Sequence, residues 1–167
     1  MRRSGPSGAR SRAGLTEAKI ISAALALIDA RGLSAFSMRA LGRALGTSAM
    51  AIYFHFPAKG ELLAALGRSL AASASLAAAS ADDPRARARA VLAQLRAVHA
   101  AHPNAYGLVR AELSGTAVGA SPRIRDTWAA LWPGLSPARA NLLRVLLVAA
   151  ATESPALDQE LLSLFFG

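Results

Sequence analysis

The sequence contains no cysteine, and this absence excludes disulfide scaffolds, thiol catalysis and every metal site that uses a cysteine ligand. Aromatic residues make up only 5% and charged residues 17% of the 167 positions, whereas hydrophobic residues reach 53%. No apolar run is long enough to span a membrane, because Arg144 interrupts the richest stretch, at 142–151. The arginines near the first residue are not followed by an apolar segment, so no secretory signal is expected. We therefore expect a soluble, cytoplasmic globular protein.

The chain has only two lysines but 41 alanines. Alanine has the highest helix propensity. The sequence contains no alternating run of β-branched residues, so it predicts no strand. A small polar or acidic residue precedes proline at 83–84, 121–122, 136–137 and 154–155, a pattern typical of helix starts. The predicted fold class is all-α. The predicted helices are three within 16–56, a longer one from Pro57 to about residue 82, and others over about 84–101, 104–114, 122–132, 137–152 and 155–165.

Positive charge is concentrated in the first 60 residues. This part has nine basic residues against two acidic ones, a net charge of +7, whereas residues 61–167 have ten arginines against eight acidic residues. Four of the nine charges lie in residues 1–14, which are rich in Arg, Ser and Gly and are expected to form a flexible basic arm. The other five lie inside periodic segments, so a merely solubilising tail does not explain them. The distribution favours an anionic partner, with nucleic acid as the leading candidate.

Two glycines divide the basic segment into a helix and two short helices. Gly32 ends the first helix and Gly46 ends the second. Ser37 is a candidate N-cap for the second helix, and Thr47 or Ser48 is a candidate N-cap for the third. This outline is typical of a helix-turn-helix, in which the second short helix enters the major groove of DNA. Because any three-helix core shares the outline, the periodicity alone does not identify one.

The residue identities over 15–63 are more specific than their periodicity. The segment contains, in order, Leu15-Thr16, Ile20-Ile21, Ala23-Ala24, Gly32-Leu33, Ser37-Met38-Arg39-Ala40-Leu41, Leu45-Gly46-Thr47-Ser48, Ile52-Tyr53-Phe54-His55-Phe56-Pro57-Ala58-Lys59 and Leu62-Leu63. It closely resembles the DNA-binding domain of the TetR (tetracycline-repressor) family of bacterial transcription regulators. The resemblance implies a basic arm at 1–14, an N-terminal helix-turn-helix DNA-binding domain at 15–60 and a helical ligand-binding and dimerisation domain at 61–167. It also implies a dimeric repressor that a small apolar effector releases from a palindromic operator.

The resemblance places the DNA surface on individual residues. The predicted DNA-binding residues are Arg39, Arg43, Thr47, Ser48, Ala49, Met50, Ala51, Tyr53, His55 and Lys59. Ala49, Met50 and Ala51 occupy the base-facing turn but offer no bidentate hydrogen bond, so they can read only thymine methyl groups or DNA shape. Tyr53 matches a phosphate-contacting tyrosine, and the alternative is a core aromatic. His55 has either a direct DNA contact or a structural role.

Lys59 lies in the first turn of the predicted fourth helix, where a cation opposes the helix dipole unless an anion binds at that end. Ala58 offers no side-chain cap, so the free N–H groups and Lys59 are predicted to bind a DNA phosphate. The alternatives are fraying beside Gly60 and neutralisation of Lys59 by Glu61.

The rest of the chain resembles the family only in being helical, and the resemblance implies a homodimer through residues 137–166. The segment supports this because it has more apolar surface than two short helices can hide, although earlier helices of the same chain can cover part of it. The apolar residues are Leu142, Leu143, Leu146, Leu147, Leu161, Leu162, Leu164, Phe165 and Phe166.

Apolar, aromatic and histidine side chains on the predicted helices of the second part of the chain could line an effector pocket, although such residues are more often part of an ordinary core. The predicted ligand-binding residues are Leu95, His99, Tyr106, Val109, Leu113, Trp128 and Trp132. His99 and His102 could share a helix face, but no acidic residue at helical spacing completes a metal site, so no metal or cofactor is predicted. The absence of a Gly-rich phosphate loop and of G-x-S-x-G disfavours an enzyme. An effector-independent DNA-binding adaptor stays open.

Overall fold

The computed structural model describes residues 14–78, 83–114, 126, 128, 130–153 and 157–166. All regular structure in these residues is helical, so the all-α prediction is confirmed. The helices are α1 (Glu17–Arg31), α2 (Met38–Ala44), α3 (Ala49–Tyr53), α4 (Lys59–Ala78), α5 (Pro84–Ala101), α6 (Tyr106–Ser114), α7 (Pro137–Ala150) and α8 (Leu157–Phe166), with a short 3-10 helix at Leu33–Ala35. Asp126, Trp128 and Ala130 are also helical. Most of the predicted arm at 1–14, and the Ser-Pro pairs at 121–122 and 154–155, lie outside the described residues.

Side-chain caps begin the three helices of the N-terminal unit. The hydroxyl oxygens of Thr16, Ser37 and Ser48 accept hydrogen bonds from the backbone N–H three residues later, at 3.2–3.3 Å. Of the two candidate caps for α3, Ser48 is therefore the one used. Gly46 between α2 and α3 has φ +63°, a left-handed conformation that glycine adopts without strain. A Cβ on Gly42 would lie 2.9 Å from the Thr47 carbonyl oxygen, so glycine is needed where α2 passes the turn.

The fourth helix begins at Lys59, two residues after the predicted start at Pro57. The carbonyl oxygen of Ala58 accepts from the N–H groups of Glu61 and Leu62, so Ala58 is the residue that precedes the helix and Pro57 lies outside it. The predicted end near residue 82 lies outside the described residues, which stop at Ala78 in this helix.

Two hydrophobic cores meet along α4. The first core packs α1, α2, α3 and the start of α4, with Ile20, Ile28, Leu41, Ile52, Phe56, Leu62 and Leu66 all buried. The second core gathers α5, α6, α7 and α8 around Trp128 and Trp132, and Ala71 of α4 belongs to it. Leu70 packs against both cores. A Cβ on Gly67 would lie 2.7 Å from the Leu108 carbonyl oxygen, so the backbones of α4 and α6 are in close contact there.

Asp83 and Ser136 cap α5 and α7, each followed by proline at the first helical position, as predicted. α6 begins at Tyr106 instead of 104, and the carbonyl of His102 accepts the N–H groups of Ala105 and Tyr106 in the connection before it. At the boundaries that lie within the described residues, the observed helices therefore agree with the predicted ones to within about two residues.

Arg96 of α5 joins the two last helices. Its guanidinium makes a bidentate ion pair with Asp158 of α8 and donates to the Ala150 carbonyl oxygen at the end of α7, at 3.1 Å. The hydrogen bonds with Asp158 raise the pKa of Arg96 above its ordinary value. Nearby, the buried hydroxyl of Tyr106 donates to the Val148 carbonyl oxygen at 2.9 Å, and burial raises the pKa of Tyr106 to about 12. These contacts fix α7 and α8 on the rest of the second unit.

A polar contact also links α1 to the connection between α5 and α6. The His102 Nδ1 lies 2.7 Å from the Asp29 Oδ2, and the Asn104 amide donates to the Asp29 carbonyl oxygen at 3.0 Å. Ala105, in the same connection, is fully buried in the first core. The N-terminal unit is therefore joined to the second unit at α4 and again at the end of α1.

Candidate DNA-binding and regulatory sites

The short helix α3 turns one side into the first core and the other side outward. Ile52 and Phe56 are buried one turn apart. Helical geometry then places Met50 and Phe54 on the opposite side, and these side chains are 65% and 75% exposed. The helix is slim on its outer side because Ala49 and Ala51 flank Met50. This is the shape that a groove-entering helix requires.

The predicted DNA-binding residues lie on α2, on the turn before α3, on α3 and at the start of α4. The exposed ones are Arg39, Arg43, Ser48, Met50, Tyr53 and Lys59, and the half-buried ones are Thr47, Ala49, Ala51 and His55. Packing of α2 on α3 brings the helix of Arg39 and Arg43 beside Ala49, Met50 and Ala51. Their roles in binding DNA stay predictions, but all ten are at least partly accessible.

Charge in this region has one sign. Between Asp29 and Glu61 the sequence has no acidic residue, while Arg39 and Arg43 on α2 and Lys59 on α4 carry positive charge. The two arginines extend from the exposed side of α2. The surface beside α3 therefore suits a polyanion.

Tyr53 is 40% exposed, so it is not a buried core aromatic. That alternative describes Phe56 instead, which is buried in the first core. The accessible position of Tyr53 is compatible with the predicted phosphate contact.

Lys59 makes a contact that the sequence did not reveal. Its ammonium donates to the Phe36 carbonyl oxygen at 2.7 Å and lies 5.4 Å from the centre of the Phe36 ring. The lysine thereby ties the start of α4 to the connection before α2. An ammonium has two further N–H donors, so a phosphate can still bind it, and this role stays a prediction.

Phe54 was absent from the predicted set, although it is strongly exposed. Together with Leu15, Ala51 and His55 it lines a shallow groove of about 220 Å³ beside α3. Its spacing four residues after Met50 and two after the buried Ile52 could have identified it from the sequence, because that spacing places it on the outward side.

The predicted ligand-binding residues come together in the second core. Leu95, Tyr106, Val109, Leu113, Trp128 and Trp132 are all buried there. His99 is half-buried and its ring centre lies 4.9 Å from that of Tyr106, while the centres of the two tryptophan rings are 6.3 Å apart. Trp132 Nε1 donates to the Pro84 carbonyl oxygen at 3.2 Å. Their role as a ligand site stays a prediction, since the residues of a core that binds no ligand have the same burial and contacts.

The two histidines considered as a metal-binding pair, His99 and His102, contact different partners. His102 is turned to Asp29 of α1, whereas the His99 ring packs against the Tyr106 ring at an angle of 60°. Among the described residues, no group of three or more His, Asp or Glu side chains could hold a metal ion. None of the described helices is long and apolar enough to cross a membrane.

The apolar residues of α7 and α8 divide into two sets. Leu143, Leu147 and Leu162 are buried against the chain's own core, as the alternative predicted. Other side chains face outward, and Leu142 and Leu164 are 52% and 73% exposed. A groove between the helices is lined by Leu146, Ala149, Ala150, Glu153, Glu160, Leu161 and Leu164. The outward set is not covered by the chain's own core, so it is the part of the segment that a partner could contact.

The model of the family described as "Bacterial regulatory proteins, tetR family" matches residues 20–66. Among curated proteins, the chain is similar to the HTH-type transcriptional repressor DrrR1 of Streptomyces coeruleorubidus, with 45% identity over 49 residues. This match covers 29% of the chain and only 18% of that repressor, so the likeness concerns less than a third of either chain.

Solved structures are similar over most of the chain. The transcriptional regulator SCO7222, described as a TetR from Streptomyces coelicolor, is 30% identical with a TM-score of 0.68, and the match covers 87% of this chain and 73% of that one. A structure of BioQ with its double-stranded DNA operator is 23% identical with a TM-score of 0.65, and covers 89% of this chain and 96% of that one. At that identity the second likeness concerns the fold alone.

The contacts of Lys59 lead to a prediction about salt dependence. If Lys59 binds phosphate, Lys59→Ala should weaken binding to all duplexes about equally and make the slope of log K against log salt shallower by about 1–2 for a dimer. The measurement is fluorescence anisotropy over a salt series. Arg89→Ala, which removes one exposed charge from α5, is the control and should leave the slope unchanged. A lower thermal stability with an unchanged slope would assign Lys59 only its contact with Phe36.

Proposed function

Because the chain belongs to the tetR family of bacterial regulatory proteins, we propose that it is a homodimeric repressor that binds a palindromic DNA operator and is released by a small apolar effector. Transcriptional regulation is the function of the family, and both DrrR1 and SCO7222 are described as transcriptional regulators. The operator, the dimer and the effector are the parts of the proposal that need support from this chain. With DNA as the partner, the proposed place of action is the bacterial cytoplasm.

The observation that carries the DNA-binding role is the arrangement of α3. Its inner side is anchored by Ile52, its outer side is accessible, and the surrounding sequence from 30 to 60 has basic residues and no acidic ones. Ala49, Met50 and Ala51 leave the outer side without amide or guanidinium groups. Hydrogen-bond reading then falls to Arg39, Thr47 and Ser48, with contacts to thymine methyl groups at the centre of the helix.

Selection from a pool of random duplexes tests this role. We expect a palindrome whose half-sites lie about one helical turn apart or somewhat more, with thymine preferred beneath Ala49 and Ala51. Replacing those thymines by uracil removes only the methyl groups and should weaken binding, whereas uracil at flanking positions should cost little. If no duplex is enriched, the proposed function is wrong. If uracil is tolerated everywhere, methyl reading is wrong and DNA deformability becomes the source of specificity.

The outward apolar side of α7 and α8 supports the dimer. Leu142, Val145 and Leu164 are exposed, and the groove beside them is mainly apolar. A large exposed apolar patch is costly in water and is typical of a surface that binds a partner. Arg96 of α5 pairs with Asp158 of α8 and donates to the Ala150 carbonyl oxygen of α7, so this surface is held in place before a second copy binds.

Light scattering on the full chain tests the dimer. The wild type should have twice the chain mass of 17.2 kDa, and Leu146→Asp should have the mass of one chain because the dimer would bury an unpaired charge. Ala93→Asp, at an exposed position of α5, introduces the same charge outside this surface and should leave the dimer intact. A wild-type chain that is monomeric at micromolar concentration would contradict the proposal.

The second core supports an apolar effector. Tyr106, Trp128 and Trp132 bring aromatic surface together there, and the Nε1 of Trp128 is buried without a hydrogen-bond partner among the described residues. Such a donor could bind an acceptor atom of an otherwise apolar molecule. The alternative, an effector-independent adaptor, is distinguished by whether any small molecule changes operator affinity.

A further inference from the structure

The backbone of the exposed residue Phe54 has a defined position at the C-terminal end of α3. The Phe54 N–H donates to the Met50 carbonyl oxygen at 3.3 Å, so the residue continues the helical path by one position. Phe56, two residues later, is buried, which keeps Phe54 on the outward side. Because Phe54 is 75% exposed, its side chain gains little apolar burial from the folded chain and is available to a partner.

The surroundings of Phe54 are mainly apolar. Leu15, just before α1, and Ala51 of α3 line the groove with Phe54, and His55 supplies its half-buried imidazole. The groove is continuous with the outward side of α3 through Ala51. It therefore adjoins the surface that the proposed function assigns to DNA.

We propose that this groove binds the deoxyribose edge of one DNA strand, with the Phe54 ring lying against the sugar. The inference rests on the proposed function. A recognition helix contacts base edges with its N-terminal residues, so its C-terminal end lies near the wall of the major groove, which is made of sugars and phosphates. The sugar is the apolar part of that wall. The segment from 30 to 60, which supplies Ala51, Phe54 and His55 of the groove, has basic residues and no acidic ones, and its charge draws the neighbouring phosphates towards the groove.

A sugar contact has a signature that differs from a phosphate contact and from a base contact. It contributes apolar burial and no charge, so its loss lowers affinity without changing the slope of log K against log salt. Deoxyribose is the same in every nucleotide, so the loss is the same for all sequences. Phe54 thus adds affinity to specific and non-specific binding alike.

The experiment compares the full wild-type chain with Phe54→Ala on the selected operator and on unrelated duplexes over a salt series. We expect Phe54→Ala to bind every duplex about tenfold more weakly, with the wild-type salt slope, because one apolar contact per half-site is lost. Phe54→Leu keeps apolar surface and should recover most of the affinity. Thermal unfolding of Phe54→Ala should match the wild type, since the ring is not part of either core.

Other outcomes would overturn the inference in distinguishable ways. Equal affinities of Phe54→Ala and the wild type would overturn the sugar contact and leave the proposed function intact. A loss confined to duplexes with one particular base would make Phe54 a base reader. A change of mass in light scattering would mean that Phe54 contacts a second copy of the chain. A wild type that binds no duplex would overturn the proposed function and this inference together.

Discussion

The sharing of α4 between two hydrophobic cores is the constraint on which the rest of the structure depends. Leu62 and Leu66 are buried with the helices of the N-terminal unit, while Ala71 is buried with α5 and the helices that follow. Leu70 contacts both sets, and Gly67 lets the α6 backbone approach closely. Because one helix cannot move in one core without moving in the other, α3 is held in a fixed relation to the second unit.

The contact between Asp29 and the α5–α6 connection adds a second link between the units. His102 and Asn104 hold the last turn of α1, and Ala105 packs into the first core. The same connection leads directly into α6, whose Tyr106, Val109 and Leu113 belong to the proposed effector core. A ligand that repacks this core would thus act on a segment that already touches the N-terminal unit.

Local rules explain what the sequence could predict. The caps at Ser37, Asp83 and Ser136 depend on atoms within three residues, so the helix starts followed from short patterns. The predicted start of α4 at Pro57 is wrong by two residues. Sequence patterns do not tell which of two neighbouring residues supplies the first carbonyl oxygen of the helix, and here it is Ala58. The burial of Ile52 and Phe56 one turn apart is likewise consistent with helical spacing.

Contacts between distant residues could not be predicted in this way. Lys59 meets the Phe36 carbonyl across 23 positions, and Arg96 meets Asp158 across 62, and neither pair is marked by local spacing. The division of adjacent leucines on α7, with Leu142 outward and Leu143 inward, depends on which side of the helix the second core occupies. Phe54 differs from these cases, because its outward position follows from the spacing to Ile52.

Hydrogen–deuterium exchange of the chain alone and with a selected duplex tests the central claim most directly. If the outward side of α3 is the DNA-binding surface, the duplex should slow exchange mainly in residues 38–59, because these short helices are otherwise close to solvent. The amides of α7 and α8 should change little. Slowed exchange confined to α5–α8, or no change in 38–59 under conditions where the duplex is bound, would contradict the account.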